Sequence, residues 1–590
     1  MKGKIVIYQV FTRLFGNTVT RNIPWGTIAE NGVGTFSDFD KRALSEISKL
    51  GITHIWYTGV PHHAVINDYT DFGISNDDPD VVKGRAGSPY AVKDYYNVSP
   101  DLADDPAKRL EEFTKLIERT HTAGMKVIID IVPNHVARAY EGLTNPKGVT
   151  DFGVDDDTAV AYHRDNNFYY IPGSEFEVPE WKNGYRPLGG ETPGLPNSKL
   201  KEVPAKWTGN GSRSPKPDMN DWYETVRINY GVRPDGTLDF DTLPSDFDRL
   251  DYEAHFKYWE NKKVPSSWIK FRDIALYWME MGVDGFRYDM AEMVPVEFWS
   301  FMNSSIKMKN PDAFLMAEVY NPDLYRTYIH KGKMDYLYDK VDFYDGLKHI
   351  MKGYGWSDHL PVVQTNLQDI EHHMLHFLEN HDEQRIASPE FVGNAEIGKP
   401  AMVVSATIST SPIMIYFGQE VGEPAAENAG FGSPSRTSIF DYIGVPHHQR
   451  WVNDKKFDGG QLSYSEAALR EFYKRLLNFT KRSTALMGHY QEIHFYNKER
   501  TDTYNHRVLS YVRWSTEQKL VIVINFDAND AFSFDLKIPK DIIKEWNLGT
   551  GEYSMSEVLY RNKKTLYVER GEGHLPLELD PLQSVIFELK

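Results

Sequence analysis

Eight short, nearly unbroken apolar runs recur along this chain, and they constrain its fold more than any other feature. They span residues 4–10, 54–60, 126–132, 284–290, 313–319, 374–380, 412–418 and, more weakly, 334–339. A strand with one face in water alternates apolar and polar residues, whereas a strand buried on both faces reads as a continuous apolar run. Helical patterns lie between several of the runs. Residues 36–50 end at Gly51, and residues 105–124 carry Leu110, Phe113, Leu116 and Ile117 at helical spacing before Gly124. Eight such units predict an α/β fold, a (β/α)8 TIM barrel. A doubly wound sheet shares the periodicity and stays open at this point.

Two regions break the alternation. Residues 137–250 are rich in Gly, Pro, Asn and Asp and too long for a connection, so they read as an inserted subdomain. After residue 482, runs such as HRVLSYVRW, KLVIVINF and SVIFELK predict a separate antiparallel β domain, 483–590. The barrel is then residues 1–136 and 251–482.

Composition removes several function classes. The 590 residues contain no cysteine, which excludes disulfides, a thiol nucleophile and Cys-ligated metal sites. A net charge of −18 argues against a nucleic-acid binder. No apolar stretch approaches the roughly 20 residues of a membrane span. The start, MKGKIVIYQVF, reads as a strand and not as a signal peptide, so a soluble chain is expected, cytoplasmic or else exported after processing.

In a barrel, working residues sit at the C-terminal ends of strands and in the loops that follow. The third run ends DIVPNH (Asp130, Asn134, His135), the fourth GFRYDM (Arg287, Asp289), the fifth AEVY (Glu318) and the seventh ENHDEQR (Asn380, His381, Asp382). Three carboxylates, Asp289, Glu318 and Asp382, thus converge from separate strand ends. A single carboxylate there is more often a cap or a solvated residue; three, with an arginine and two histidines, call for a chemical role. Paired carboxylates suit glycosidic chemistry, where one is ionised and the other holds a proton for the leaving oxygen. Arg287, two residues from Asp289 and on the same strand face, is expected to keep Asp289 ionised. Glu318, after its apolar run, is the candidate acid.

With these motifs the chain resembles the α-amylase superfamily, glycoside hydrolase family 13, over nearly its whole length. YQVFTR at 8–13 looks like the family's first strand, and DIVPNH, GFRYD, AEVY and ENHD like its four main motifs, in order. KPDMN at 216–220 and GQE at 418–420 resemble two further ones. The branch it looks like is that of neopullulanase, cyclomaltodextrinase and oligo-1,6-glucosidase, without an N-terminal extra domain. The resemblance implies a domain A barrel, an inserted domain B after the third strand and a C-terminal β-sandwich domain C. It implies a retaining mechanism on an α-glucan or malto-oligosaccharide. Asp289 would be the nucleophile, Glu318 the acid and base, and Asp382 the transition-state stabiliser. Arg287 would orient Asp289, His135 and His381 would bond the sugar, and Tyr90 in GSPYAVKDYY would be the aromatic platform beneath it. Asp130 and Asp94 would play supporting roles. Trp181, Trp207 and Trp222 are candidates for further sugar subsites.

The sequence also departs from the pattern. Many members follow the nucleophile with Lys-His, a pair that touches the departing side of the substrate; here Glu292 and Met293 stand there. FGNTVTRN resembles the N-terminal calcium loop of neopullulanase-like relatives, which makes Asn17 and Asn22 candidate ligands of a structural calcium, with Gly34 as a carbonyl donor. Val19 stands where a carboxylate is expected, and the residues alone equally fit a polar turn. Asn134 matches a second calcium site of the family. No organic cofactor is expected. The alternatives are a glucanotransferase on the same scaffold, in which a sugar hydroxyl replaces water, and a catalytically dead glycan-binding relative, which predicts loss of at least one of the three carboxylates.

Overall fold

The computed structural model of the chain describes residues 3–179 and 200–589. Eight parallel strands close into a barrel: β1 (Val6–Phe11), β2 (His54–Thr58), β3 (Lys126–Ile131), β4 (Gly285–Tyr288), β5 (Phe314–Ala317), β6 (Tyr336–Tyr338), β7 (Met374–Phe377) and β8 (Ile413–Tyr416). Each pairs with its neighbours in chain order and β8 returns to β1, with Val6 opposite Ile413. The doubly wound alternative is therefore excluded, because its sheet stays open.

Strand alternation explains why the runs are continuously apolar. Ile7, Trp56, Ile128, Phe314, Met316, Tyr338, Leu375, Phe377 and Met414 point inward and form one cluster. Their strand neighbours, including Tyr8, Ile129, Phe286, Leu315, Leu337 and Ile415, belong to the outer core under the helices. Both faces are dry, so both sets must be apolar. On β4 the inward position is Arg287, between Phe286 and Tyr288, and it has no solvent exposure. A guanidinium in a barrel lumen needs counter-charges, and those come from the active-site end.

The helical patterns split for a local reason. Residues 36–50 form a 3-10 turn, Phe36–Asp38, and then a helix, Lys41–Lys49. Asp40 separates them, since its carboxylate accepts the N–H groups of Arg42 and Ala43 and so starts a new helix. Gly51, at φ 108°, ends it.

The described residues of the insertion have little regular structure. His135–Ala137 pairs antiparallel with Thr225–Arg227, and Tyr170–Ile171 with Ala205–Lys206. The C-terminal strands make one continuous eight-stranded antiparallel sheet. Val512, Val521, Leu536, Val568 and Leu575, from strands far apart in its order, share a single core. The other face, with Leu509, Tyr511, Ile522 and Ile586, joins the barrel's outer core. No described helix is long and apolar enough to cross a membrane.

Candidate active site

Asp289 and Glu318 lie one residue beyond the ends of β4 and β5. The barrel's hydrogen-bond ladder continues past them: Asp289 N–H donates to Ile131 O at 3.0 Å, and Glu318 N–H to Tyr288 O at 3.0 Å. Their backbones are thereby fixed although they stand outside the strands. Met290 follows in the left-handed region, at φ 48° and ψ 38°. A non-glycine residue is disfavoured there by sterics, so the surroundings must hold it. They do: its N–H donates to Glu318 Oε2 at 2.8 Å.

Arg287 is the hub. Its Nη1 lies 2.7 Å from Asp289 and 3.5 Å from Asp130, and Nη2 lies 3.2 Å from Glu318. The guanidinium also faces the rings of Trp56 and Tyr90 at 5.3 and 5.6 Å. Beneath it, Trp56 Nε1 donates to Asp130 Oδ2 at 2.8 Å, which anchors that carboxylate in the lumen.

Asp382 is placed by its own motif. Asn380 Oδ1 accepts the N–H groups of Asp382 and Glu383 at 2.8 and 3.0 Å, an Asx turn that aims Asp382 into the cleft. His381 lies between. Its Nδ1 accepts from Gln9 Nε2 at 2.9 Å, which leaves the proton on Nε2, 3.1 Å from Asp382 Oδ2 and 2.5 Å from the Tyr90 hydroxyl. Burial, then Arg287, push the His381 pKa far below its usual value, so the ring is neutral. Tyr90 stacks on it at 5.2 Å and keeps part of its own ring open.

One guanidinium cannot neutralise every carboxylate around it. Burial pushes Asp289 well above the usual carboxylate range; Arg287 opposes this, while Glu318 and Asp382 add to it. Burial and then Arg287 leave Asp130 at about 6, and burial with Glu318 raises Asp382 to about 7. Arg287 acts in the expected direction on Asp289, but it is shared with Glu318 and Asp130. The carboxylates around the one guanidinium titrate as a coupled set, each raised by burial, with Arg287 opposing the rise. A stability prediction follows for Asp382, whose folded-state pKa exceeds the unfolded value near 4. Its contribution, weakened by solvent because the side chain is 45% exposed, is present below about pH 4 and is lost as pH rises through about 7. Asp382→Asn removes that titration. Its melting temperature minus that of the wild type should therefore climb between pH 4 and 8; a flat difference in thermal-shift scans would refute the assignment.

Asp289, Glu318, Asp382, Tyr90, His135 and Trp222 all line one cleft of about 340 Å³ at the C-terminal end of the barrel. Arg287 and His381 lie directly behind them. His135, held by Asn134 Nδ2 at 3.1 Å, meets Trp222 edge-on at 5.5 Å, and burial lowers its pKa to about 3. Trp207 is elsewhere, stacked on Tyr169 at 4.3 Å and outside this cleft. Trp181 lies outside the described residues. Tyr320, Lys83 and Phe440 also line the cleft and were not singled out from sequence. Tyr320 had a signal, two residues after Glu318 in AEVY and hydrogen-bonded to it. Lys83 and Phe440 come from irregular loops, where no periodicity points.

Asn17 and Asn22 are occupied by the chain itself. Asn17 Oδ1 accepts Val19 N–H and its amide donates to Asn31 O and Ile443 O; Asn22 Oδ1 accepts Gly444 N–H at 2.7 Å. Among the described residues no group of three or more His, Asp or Glu is placed to hold a metal. Two amides already bonded to backbone N–H groups, without a carboxylate, do not fit calcium. They staple the loop at 17–23 to residues 443 and 444. For this loop, Asn17→Ala is expected to lower the melting temperature equally with added calcium and with chelator, and a calcium-dependent difference would overturn this.

The family description "Alpha amylase, catalytic domain" matches residues 9–183 and 256–457. Neopullulanase 2 of Thermoactinomyces vulgaris is 20% identical over 98% of this chain and 77% of its own length. The α-1,4-glucan:maltose-1-phosphate maltosyltransferase of Cereibacter sphaeroides is 22% identical over 62% of this chain, and the match spans 47%, about half, of that relative's length. A solved structure of an AmyP variant in complex with maltotriose superposes with a TM-score of 0.60 at 17% identity, covering 99% of this chain and 97% of that one. The family match alone takes in more than half of the residues, including the segment that carries Asp289, Glu318 and Asp382: the chain belongs to the α-amylase catalytic-domain family.

Proposed function

We propose that the protein is a retaining glycoside hydrolase that cleaves α-glucosidic bonds, mainly α-1,4, in starch-like glucans or maltodextrins. The observation that carries this is the carboxylate set, Asp289, Glu318 and Asp382, gathered in one cleft with Arg287 paired to the first two. Asp289 attacks the anomeric carbon and forms the glycosyl-enzyme. Glu318 gives its proton to the leaving oxygen and then takes one from the incoming water. Asp382, with His381 and His135, bonds hydroxyls of the sugar at the cleavage point, and the exposed part of Tyr90 takes its flat face. Net charge plays no part in recognising this neutral substrate. The chain is read as barrel 1–136 and 251–482, insertion 137–250 and C-terminal domain 483–590.

A glucanotransferase is the second reading, favoured by the maltosyltransferase similarity. It uses the same residues, with a sugar hydroxyl in place of water. Maltotriose separates the two: glucose and maltose alone mean hydrolysis, and products longer than maltotriose mean transfer. No turnover of maltotriose or longer glucans would sink both. A catalytically dead binding protein is disfavoured because no member of the carboxylate trio is missing.

A further inference from the structure

A second cavity, of about 390 Å³, adjoins the cleft on the side where the usual Lys-His pair is replaced. Two segments connect them. On the strand Thr225–Arg227, Thr225 lines the cleft, and Arg227, two residues on and on the same face, lines the second cavity. Across from it, Met290 lines the cleft and the turn Ala291–Met293 carries Glu292 and Met293 into the second cavity. Its charged lining residues are Arg213, Arg227, Arg233 and Glu292, among aromatic and aliphatic neighbours. Arg233 is paired with Asp239 at 2.7 Å. Arg213 donates to Pro234 O and lies over Trp207 at 4.3 Å. Among the described residues the half-buried Arg227 donates only to Met293 O, at 3.4 Å. Neither of these two has a carboxylate partner among the described residues. Glu292 is turned to other work, its Oε2 accepting the N–H groups of Tyr320 and Asn321 at 3.0 Å each.

In a chain of net charge −18, two arginines without counter-ions in one concavity are an anion site in waiting. Their planar forks match phosphate oxygens in bidentate fashion. The ring of Trp207 is already taken up by Tyr169 and Arg213, so the cavity offers charge where a sugar subsite would offer a bare platform. We propose that this pocket receives the phosphate ester of a sugar on the leaving side of the cleft, so that the substrates include malto-oligosaccharides phosphorylated at the reducing-end glucose. The inference rests on the glycosidase reading. In the reaction the glycosidic C1–O bond breaks, water supplies hydroxyl to one fragment and hydrogen to the other, and the phosphate ester stays intact.

The test compares kcat/KM on maltotriose and on maltotriose 6-phosphorylated at its reducing end. The wild type should favour the phosphorylated substrate by about tenfold or more, the scale of a charge-assisted contact. Arg213→Ala with Arg227→Gln should bring it down to the maltotriose value and leave maltotriose unchanged. Arg213→Ala alone, on an exposed side chain, should give part of the effect without endangering the fold. Equal kcat/KM values in the wild type, or a preference that survives the double variant, overturn the proposal. If neither sugar is cleaved, the glycosidase reading falls; calorimetric binding of the two sugars to wild type and double variant then decides the pocket, and equal affinities overturn it.

Discussion

Asp289→Asn should lower kcat on maltotriose by about 10⁴-fold or more while the dissociation constant changes only a few-fold. An amide cannot attack the anomeric carbon, and no other carboxylate is in position to replace it: Asp130 is held in the lumen by Trp56, and Asp382 by the Asx turn. Such a loss corresponds to more than about 5 kcal/mol of transition-state stabilisation. Binding should survive because Tyr90, His135, Trp222 and Asp382 are untouched. The fold should survive as well. Arg287 keeps Glu318 at 3.2 Å and Asp130 at 3.5 Å, so it is not left as an unpaired buried charge, the condition that makes a broken buried pair costly. The measurement is kcat beside calorimetric binding of maltotriose. Turnover within tenfold of the wild type would remove Asp289 from the nucleophile's role. Lost binding together with lost turnover would mean that the residue shapes the cleft instead.

The barrel was legible because most residues of its strands are apolar on both faces, the pattern of a doubly covered parallel sheet. Periodicity left closure open, since it depends on β8 meeting β1 and no local property of either strand records that pairing; the family resemblance supplied it. The three carboxylates and Arg287 were legible because strands place them: a residue that follows a buried run can only sit at the barrel's end. Residues carried by loops were not. Lys83 and Phe440 enter the cleft from segments whose course is set by side-chain contacts with distant residues, so the neighbouring sequence says nothing about where they arrive. Trp207 and Trp222 illustrate the same limit. Both are tryptophans of the insertion, yet Trp222 meets His135 in the cleft whereas Trp207 packs on Tyr169 away from it. The asparagines at 17 and 22 show how one composition serves two ends. Amide oxygens spaced as metal ligands are equally spaced to accept backbone N–H groups, and the loop's return to residues 443 and 444, invisible in sequence, decides for the latter.

Glu318→Gln should produce a loss that depends on the leaving group. On maltotriose the departing oxygen belongs to a sugar alcohol and needs the proton, so kcat/KM should fall by about 10³- to 10⁴-fold, the range for general acid catalysis. On an aryl α-maltoside with a strongly acidic phenol, the oxygen leaves without help, and formation of the glycosyl-enzyme should slow by no more than about tenfold. Water must still attack that intermediate without its base, so the variant should release a burst of phenol and then turn over slowly. The substitution is structurally mild. The glutamine oxygen still accepts the Met290 N–H that holds the left-handed backbone beside Asp289, and Arg287 keeps Asp289 at 2.7 Å. A general collapse of the site is thereby separable from loss of the acid. Collapse would depress both substrates equally, with no burst, and that outcome would end Glu318's candidacy. Survival of the burst on the aryl substrate, beside near-silence on maltotriose, is what a proton donor at position 318 requires.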